Sequence, residues 1–309
     1  MKLPKMKVPK VKDIKSKLSA AKLLGVVVKN SIQFKLRRSA MKRFSLRDFD
    51  TVIVDMDGTT YRTDANLEGL KVMFPETDSK GVIKGEKIYD SLISEIAQGK
   101  YSIEKATVEG LTKYLIKRKT ERKDFPKILE KVKPTIRVPL IQALKKIKKR
   151  GKKIVLATLS SQYFGEILNQ YLDEEFGFSF DYVVGTELDY DSAGKIIGVK
   201  SIVGTKDSEY EKIPVKTKLT AIRDSFQNKN EEFDVKRAVL ITDCYSDIDL
   251  AKMLVTILIT PDNPTTAQQV SRRLKLADYI LHDNKLLQKK LEEIILYEEN
   301  EGKETSIKN

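Results

Sequence analysis

The stretch TVIVDMDGTT, residues 51–60, places the tightest constraint on what this chain can fold into. Its first four residues are rich in β-branched side chains, and short apolar runs bounded by turn residues are typical of buried strands. The run leads directly into Asp55 and Asp57. Burying two neighbouring carboxylates is unfavourable unless a metal or a partner charge offsets it. Because open α/β sheets bind ligands at the carboxyl ends of their strands, this pair predicts a functional site.

The rest of the chain alternates between strand and helix patterns. Strand-like β-branched runs follow at 152–160, 181–188, 238–243 and 256–260, and helical stretches such as 139–151 and 217–226 separate them. This alternation predicts an α/β fold with a doubly wound, mostly parallel sheet. From about Thr63 to Lys133 strand-like runs give way to apolar residues at helical spacing, which predicts a helical cap over the site. The predicted domains are a basic N-terminal extension (1–46), a catalytic core (47–62 and 137–298), a helical cap (63–136) and a polar tail (299–309).

The excess positive charge is confined to the N-terminus. The net charge of the chain is +14, and residues 1–47 hold 15 Lys and Arg against one acid, Asp13. The remaining 262 residues hold 43 basic and 43 acidic side chains. No run approaches the 18 apolar residues of a membrane span, and the single Cys244 suits a reducing cytoplasm. We therefore expect a cytoplasmic protein that is peripheral to a membrane, if membrane-associated at all.

The N-terminal extension carries its own pattern. From about Ile14, apolar residues recur at helical spacing with lysines among them. A basic amphipathic helix of this kind is typical of a surface for anionic lipid, an acidic protein or nucleic acid. Nucleic acid is the least favoured partner, since no aromatic-interleaved basic module or metal-finger spacing is present. A helix that simply packs on the body, with its lysines in solvent, is the structural alternative.

Three further sites supply polar groups near strand ends. Thr158 ends the strand IVLAT, and a hydroxyl there can hold a phosphate oxygen. Asp243 follows the strand AVLIT, with Asp247 nearby, and carboxylates at that place suit a hard cation such as Mg²⁺. Lys218 begins a helix about twenty residues before that strand and supplies a positive charge. Lys216 and Lys206 remain alternatives to Lys218.

Taken in order, D-M-D-G-T-T, the strand-end Thr, the helix-start Lys and D-x-x-x-D resemble the haloacid dehalogenase superfamily of phosphohydrolases. The resemblance covers roughly residues 48–285. The strand-turn-strand segment VVGTELDYDSAGKIIGV and the inserted helical block resemble the phosphoserine phosphatase-like members.

The resemblance implies a role for each residue. Asp55 would be the nucleophile that forms an aspartyl-phosphate, and Asp57 would be the general acid and base. Mg²⁺ would be bound by Asp55, the carbonyl of Asp57, and Asp243. The remaining implied roles are phosphate binding, for Thr158 and Lys218, and orientation of neighbouring groups, for Asp247.

Departures from the family pattern concern the substrate. The acidic cap residue that meets the substrate amine falls near Asp64, and the cap arginine that binds its carboxylate falls near Gly110. Without a guanidinium there, bidentate carboxylate recognition is lost. Thr242 replaces the usual glycine before the third acidic motif, Cys244 is interpreted as a packed small residue, and the only histidine, His282, receives no catalytic role.

The sequence thus predicts a Mg²⁺-dependent phosphatase for a small phosphorylated metabolite. The alternatives are transfer of the phosphoryl group to an acceptor other than water, another reaction through an acyl-phosphate, and a catalytically weak scaffold tethered to a membrane or partner. The intact pair Asp55 and Asp57 counts against the scaffold.

Overall fold

A computed structural model describes residues 49–261 and 277–296 of the chain. The strands within these ranges are β1 (Thr51–Asp55), β2 (Lys153–Ser161), β3 (Tyr182–Tyr190), β4 (Ile196–Gly204), β5 (Ser208–Tyr210), β6 (Ile213–Thr217), β7 (Ala238–Thr242), β8 (Val255–Thr260) and β9 (Tyr279–His282). They form one sheet in the order β5-β6-β4-β3-β2-β1-β7-β8-β9. The β3–β4 and β5–β6 pairs are antiparallel, and every other pair is parallel. The predicted α/β fold with a mostly parallel sheet is confirmed.

Helices flank both faces of this sheet. The α-helices of the described residues are α1 (Ala65–Met73), α2 (Lys84–Ala97), α3 (Ile103–Lys105), α4 (Lys113–Lys117), α5 (Phe125–Val132), α6 (Val138–Lys149), α7 (Gln162–Phe176), α8 (Lys218–Gln227), α9 (Ile248–Ala251) and α10 (Leu287–Ile295). A π-helical segment, Ala106–Thr112, joins α3 to α4, so that residues 103–117 form one helical stretch. The helices predicted over 139–151 and 217–226 correspond to α6 and α8.

The core follows from the two-residue period of the central strands. Val52 and Val54 belong to the larger apolar cluster, which also contains buried residues of α6, α7 and α10. Ile53 lies in a second cluster with Ile222 and Phe226 of α8. Because neighbouring side chains of a strand point to opposite faces, a run that is apolar at every position is buried on both sides. This burial holds β1 in the middle of the sheet.

The elements between β1 and β2 in the described residues are helical, as the sequence predicted for this segment. This helical segment is tied to the β3–β4 hairpin by two backbone hydrogen bonds. The N–H of Ile196 donates to the carbonyl of Thr120, and the N–H of Arg122 donates to that of Gly194, both at 3.0 Å. The Arg122 guanidinium also lies 4.4 Å from the ring centroid of Tyr190. The proposed domain boundaries themselves stay a prediction.

In the described ranges, none of the helices has the length and apolar character that a membrane span requires. The predicted basic extension, with its amphipathic helix, and the predicted polar tail lie outside the described residues.

Candidate active site

The carboxyl ends of β1, β2 and β7 bring the candidate residues together. These strands are adjacent and parallel, so that Asp55 at the end of β1 lies beside the residue that follows β7, Asp243. The Thr59 hydroxyl lies 3.4 Å from Oδ2 of Asp55 and 3.3 Å from Oδ1 of Asp243. All three side chains are buried. Two carboxylates that are 188 positions apart in the sequence therefore share one hydroxyl group.

Lys218 supplies the positive charge in this cluster. Its Nζ lies 2.7 Å from Oδ1 of Asp55 and 2.5 Å from Oδ1 of Asp247. Lys216 instead forms an ion pair with Asp224, with both side chains partly in solvent. Lys206 is exposed. Of the three lysines that the sequence left open, Lys218 is the one that contacts Asp55 and Asp247.

Thr242 holds the far side of Asp247. Its hydroxyl donates to Oδ2 of Asp247 at 2.8 Å, while Oδ1 of the same carboxylate meets Lys218. The threonine that departs from the family pattern therefore fixes the carboxylate that orients the lysine. Sequence reasoning registered the departure but had no signal for this contact.

Asp57 is held by groups from three segments. Its Oδ1 accepts from the Tyr61 hydroxyl at 2.6 Å and from the Ala65 N–H at 2.7 Å. Its Oδ2 accepts from the Ser160 hydroxyl at 2.7 Å and from the Thr158 hydroxyl at 3.3 Å. Thr158, the predicted phosphate-binding residue, thus lies beside Asp57. Because both oxygens of the Asp57 carboxylate accept hydrogen bonds, its orientation is fixed.

Gly58 allows the loop after β1 to approach Asp243. Its φ angle is +72°, in the left-handed region that favours glycine. A Cβ atom at this position would lie 2.3 Å from Oδ2 of Asp243. The loop backbone therefore packs directly against the Asp243 carboxylate, and a side chain cannot fit between them.

Arg137 is a buried arginine that sequence reasoning missed. Its exposed fraction is 1%. Its Nη1 donates to the carbonyls of Gly58, Thr59 (2.6 Å) and Tyr61 (3.3 Å), and its Nε donates to Asp283 at 2.9 Å. Arg137 therefore fixes the backbone that carries the Thr59 hydroxyl shared by the two carboxylates.

The electrostatics of the cluster are unbalanced. Burial raises the pKa of Asp55 well above its usual value, and the charges of Asp247 and Asp243 raise it further, although Lys218 acts in the opposite direction. Burial alone would lower the pKa of Lys218, but Asp247 and Asp55 hold it above its usual value. Lys218 thus contacts two of the three buried carboxylates, and the third, Asp243, interacts with the charge of Arg137.

The donor set suits a hard divalent cation. Mg²⁺ takes oxygen ligands and is usually bound by one or two carboxylates with water and phosphate oxygens completing its shell. Asp55 and Asp243 provide two such carboxylates, and their excess negative charge favours a cation. Among the residues that the structure describes, no cluster of three or more His, Cys, Asp or Glu is arranged to hold a metal. A site here would therefore rest on two carboxylates and on backbone, water or substrate oxygens.

Solved structures with this architecture include phosphoserine phosphatases. A phosphoserine phosphatase with a phospho-aspartyl intermediate analogue matches 80% of this chain and 99% of its own, at a TM-score of 0.51 and 16% identity. A protein of unknown function from Bordetella pertussis Tohama I matches 76% of this chain and 98% of its own length, with a TM-score of 0.55 and 14% sequence identity. A phosphoserine phosphohydrolase-like protein from Francisella tularensis subsp. tularensis SCHU S4 matches 78% of this chain and 99% of its own length, with a TM-score of 0.50 and 16% sequence identity.

The chain has the phosphoserine phosphatase fold. The fold that the resemblance implied is thereby confirmed. The sequence matches no protein-family model and no curated relative.

Asp64 and Gly110, the two cap positions that the sequence analysis related to the substrate, have internal partners here. Asp64 caps helix α1 by accepting from the N–H groups of Asn66 (2.7 Å) and Leu67 (3.1 Å), and its Oδ2 accepts from the Tyr89 hydroxyl at 2.7 Å. Burial and the charge of Asp57 raise the pKa of Asp64 to about 7. At Gly110 a Cβ atom would lie 2.5 Å from Cδ2 of Leu92, so a larger side chain would have to displace that leucine.

Cys244, Asp249 and His282 are three further polar residues, and they differ in their surroundings. Cys244 is a free thiol with its Sγ 3.0 Å from the Ser246 hydroxyl, and burial raises its pKa above the usual value. Asp249 forms an ion pair with Lys252 at the surface. His282 is exposed at the end of β9. The charges of Asp243 and Asp55 also raise the pKa of Cys244, whereas Asp249 and His282 face solvent.

Proposed function

We propose that this protein is a Mg²⁺-dependent phosphatase that hydrolyses a small phosphomonoester through an aspartyl-phosphate on Asp55. The observation that carries the proposal is the shared environment of Asp55, Lys218 and Asp243 at one edge of the sheet. A carboxylate can attack a phosphate dianion only when cations offset their repulsion. The fold and the phospho-aspartyl analogue named for one phosphoserine phosphatase structure support the same chemistry.

In the proposed reaction, an oxygen of Asp55 forms a bond to phosphorus while the bond from phosphorus to the leaving oxygen breaks. Protonated Asp57 donates its proton to that oxygen, and the alcohol leaves. Asp57 then accepts a proton from water as the water oxygen attacks the aspartyl-phosphate, which releases inorganic phosphate and restores Asp55. The contacts of Asp57 with Tyr61 and Ser160 hold its carboxylate for both transfers.

Phosphate-binding and metal-binding groups would support these steps. Lys218 would stabilise the charge of the transferring phosphoryl group, and the Thr158 hydroxyl would bind one of its oxygens. The carboxylates of Asp55 and Asp243 and the carbonyl of Asp57 would hold Mg²⁺. When bound, Mg²⁺ would reduce the repulsion between the attacking carboxylate and the phosphate.

The test is hydrolysis of an aryl phosphate by the purified full-length protein. We expect activity with Mg²⁺ that a chelator abolishes and a loss of at least ~10³-fold in kcat for Asp55→Asn, since the covalent route disappears. Asp50→Asn, just before the start of the same strand and about half exposed, is the matched control and should keep activity. Activity of Asp55→Asn within a few-fold of wild type would overturn the assignment of the nucleophile.

A second measurement separates hydrolysis from transfer to another acceptor. The substrate is a phosphomonoester that carries a label in its phosphate group. After acid quenching, the protein should retain this label, and hydroxylamine should remove it, as an acyl-phosphate requires. Hydrolysis should release inorganic phosphate and alcohol in equal amounts. Release of the alcohol without inorganic phosphate would instead indicate a phosphotransferase.

A further inference from the structure

Helix α1, the first helix of the segment between β1 and β2, begins beside Asp57. Its first residue, Ala65, donates its N–H to Oδ1 of Asp57 at 2.7 Å. Its second residue, Asn66, reaches the end of β2, where its side-chain Nδ2 donates to the Ser160 hydroxyl at 2.8 Å. That hydroxyl donates in turn to Oδ2 of Asp57 at 2.7 Å. Two consecutive residues of α1 therefore act on the two oxygens of one carboxylate, the first directly and the second through Ser160.

The Asn66 amide determines the direction of the Ser160 hydroxyl. A serine hydroxyl has one hydrogen to donate and accepts through its lone pairs, whereas an NH₂ group only donates. Because Asn66 donates to the Ser160 oxygen, the single hydrogen of that hydroxyl remains available for Asp57. Without the amide, the hydroxyl loses this constraint and is free to rotate away from the carboxylate.

The hydroxyl of Thr158 shows the same arrangement. Its oxygen accepts from the Ser160 N–H at 2.9 Å, and the hydroxyl donates to Oδ2 of Asp57 at 3.3 Å. Each of these two hydroxyls thus accepts from an N–H group on one side and donates to Asp57 on the other. For Thr158 the N–H belongs to β2 itself, but for Ser160 it belongs to a side chain of α1. Asn66 therefore makes the orientation of Asp57 depend on the position of α1.

The start of α1 is held within the helical segment. One oxygen of Asp64 accepts from the backbone N–H groups of Asn66 at 2.7 Å and of Leu67 at 3.1 Å. The other oxygen accepts from the hydroxyl of Tyr89, which lies on α2, at 2.7 Å. The position of Asn66 thus follows from contacts between α1 and α2, and a displacement of α1 would remove two of the groups that hold Asp57.

Building on the proposed function, we propose that Asn66 is a positioning residue for the general acid. Through the Ser160 hydroxyl it orients Asp57 towards the leaving oxygen, and it thereby couples the placement of α1 to proton transfer. A general acid contributes about 10²- to 10⁴-fold to a rate, and only when it lies within hydrogen-bond reach of the atom that it protonates. A loss of orientation should therefore matter most for a leaving group that depends on this proton.

The test measures kcat/KM with Mg²⁺ for benzyl phosphate and p-nitrophenyl phosphate. Benzyl alcohol needs a proton to leave, whereas p-nitrophenolate leaves readily as an anion, so the first substrate depends more strongly on the general acid. Because kcat/KM covers the steps up to release of the alcohol, it excludes the later hydrolysis of the aspartyl-phosphate.

The measured quantity is the ratio of kcat/KM for benzyl phosphate to that for p-nitrophenyl phosphate. We expect Asn66→Leu to lower this ratio by about 3- to 10-fold and Ser160→Ala by about 10-fold, the range of single hydrogen bonds. Since both substrates are measured on the same preparation, the ratio is independent of the fraction of the protein that folds. The double variant should fall no further than Ser160→Ala alone, because Asn66 acts through Ser160.

Ser161→Ala is the matched control. Its hydroxyl is adjacent in sequence but caps α7, where it accepts from the Phe164 N–H at 3.4 Å. This variant should keep the wild-type ratio.

An unchanged ratio in Asn66→Leu, or additive losses in the double variant, would overturn the inference while the phosphatase assignment stands. A wild-type protein that cleaves p-nitrophenyl phosphate but not benzyl phosphate would show that no oriented acid assists the leaving group, and would also overturn it. A wild-type protein that cleaves neither substrate would overturn the proposed function, and this inference with it.

Discussion

Replacement of Arg137 by Met should be strongly destabilising. Removing one partner of a buried ion pair typically lowers the free energy of unfolding by about 3–5 kcal/mol. Asp283 keeps a second partner, since Arg62 lies 2.7 Å away, so this part of the loss should fall near the lower limit. The loop carbonyls of Gly58 and Thr59 also lose their donor, at about 1–3 kcal/mol for each group that remains buried and unpaired. We therefore expect a total loss of at least about 5 kcal/mol.

The assay is equilibrium unfolding in urea, with Arg62→Met as the matched control. Arg62 binds the same carboxylate, but its side chain is 45% exposed, and exposed ion pairs contribute about 0–1 kcal/mol. Arg137→Lys keeps the charge and gives a milder variant if Arg137→Met does not fold. A loss below about 1 kcal/mol for Arg137→Met, or an equal loss for Arg62→Met, would refute the reasoning.

Three further predictions concern the loop, pH and the N-terminus. Gly58→Ala should destabilise the protein by more than Gly81→Ala, since both have positive φ angles but only the Cβ at position 58 would meet Asp243; equal losses in urea unfolding would contradict this. Because the folded pKa of Asp64 is about 7, above the usual 3.8, its contribution to stability should be present below pH about 4 and lost as pH rises to about 7. Asp64→Asn should therefore gain stability relative to wild type from pH 4 to pH 8, and a constant difference would count against burial of this charge. We also propose that residues 1–47 bind anionic lipid: a protein beginning at Ser45 should keep phosphatase activity but lose salt-sensitive vesicle binding. A lower melting temperature for it, with no vesicle binding by the full chain, would favour a packed helix instead.

The central strands could be predicted because they are buried on both faces. The run predicted at 152–160 corresponds to β2 and the run at 181–188 to β3, each within two residues at both ends. The strands β5 and β9 escaped prediction because they are only three and four residues long and most of their residues are exposed. Strands at the edge of a sheet bury less surface, so the sequence carries a weaker apolar signal for them.

The grouping of Asp55 and Asp243 could also be predicted, since residues at the carboxyl ends of parallel strands meet at one edge of the sheet. Lys218 begins a helix, and the family resemblance, not the strand pattern, indicated its place in this group. The contacts of Arg137 and Thr242 could not be predicted. Their partners lie in other segments, and neither the charge of an arginine nor the hydroxyl of a threonine indicates which distant group it will bind. An arginine within the apolar stretch TIRVPLIQAL was the available signal for burial.

The position of β1 between β2 and β7 has a consequence for synthesis of the chain. Thr59 and Asp243 are 184 residues apart, so that β7 leaves the ribosome long after β1. At typical rates of translation this interval lasts about 10–40 s. Throughout it, the apolar β1 lacks the strand that covers one of its edges, and such edges pair readily with other chains. The nascent protein therefore passes through a period in which it is prone to aggregation and its Asp55 has no Asp243 beside it.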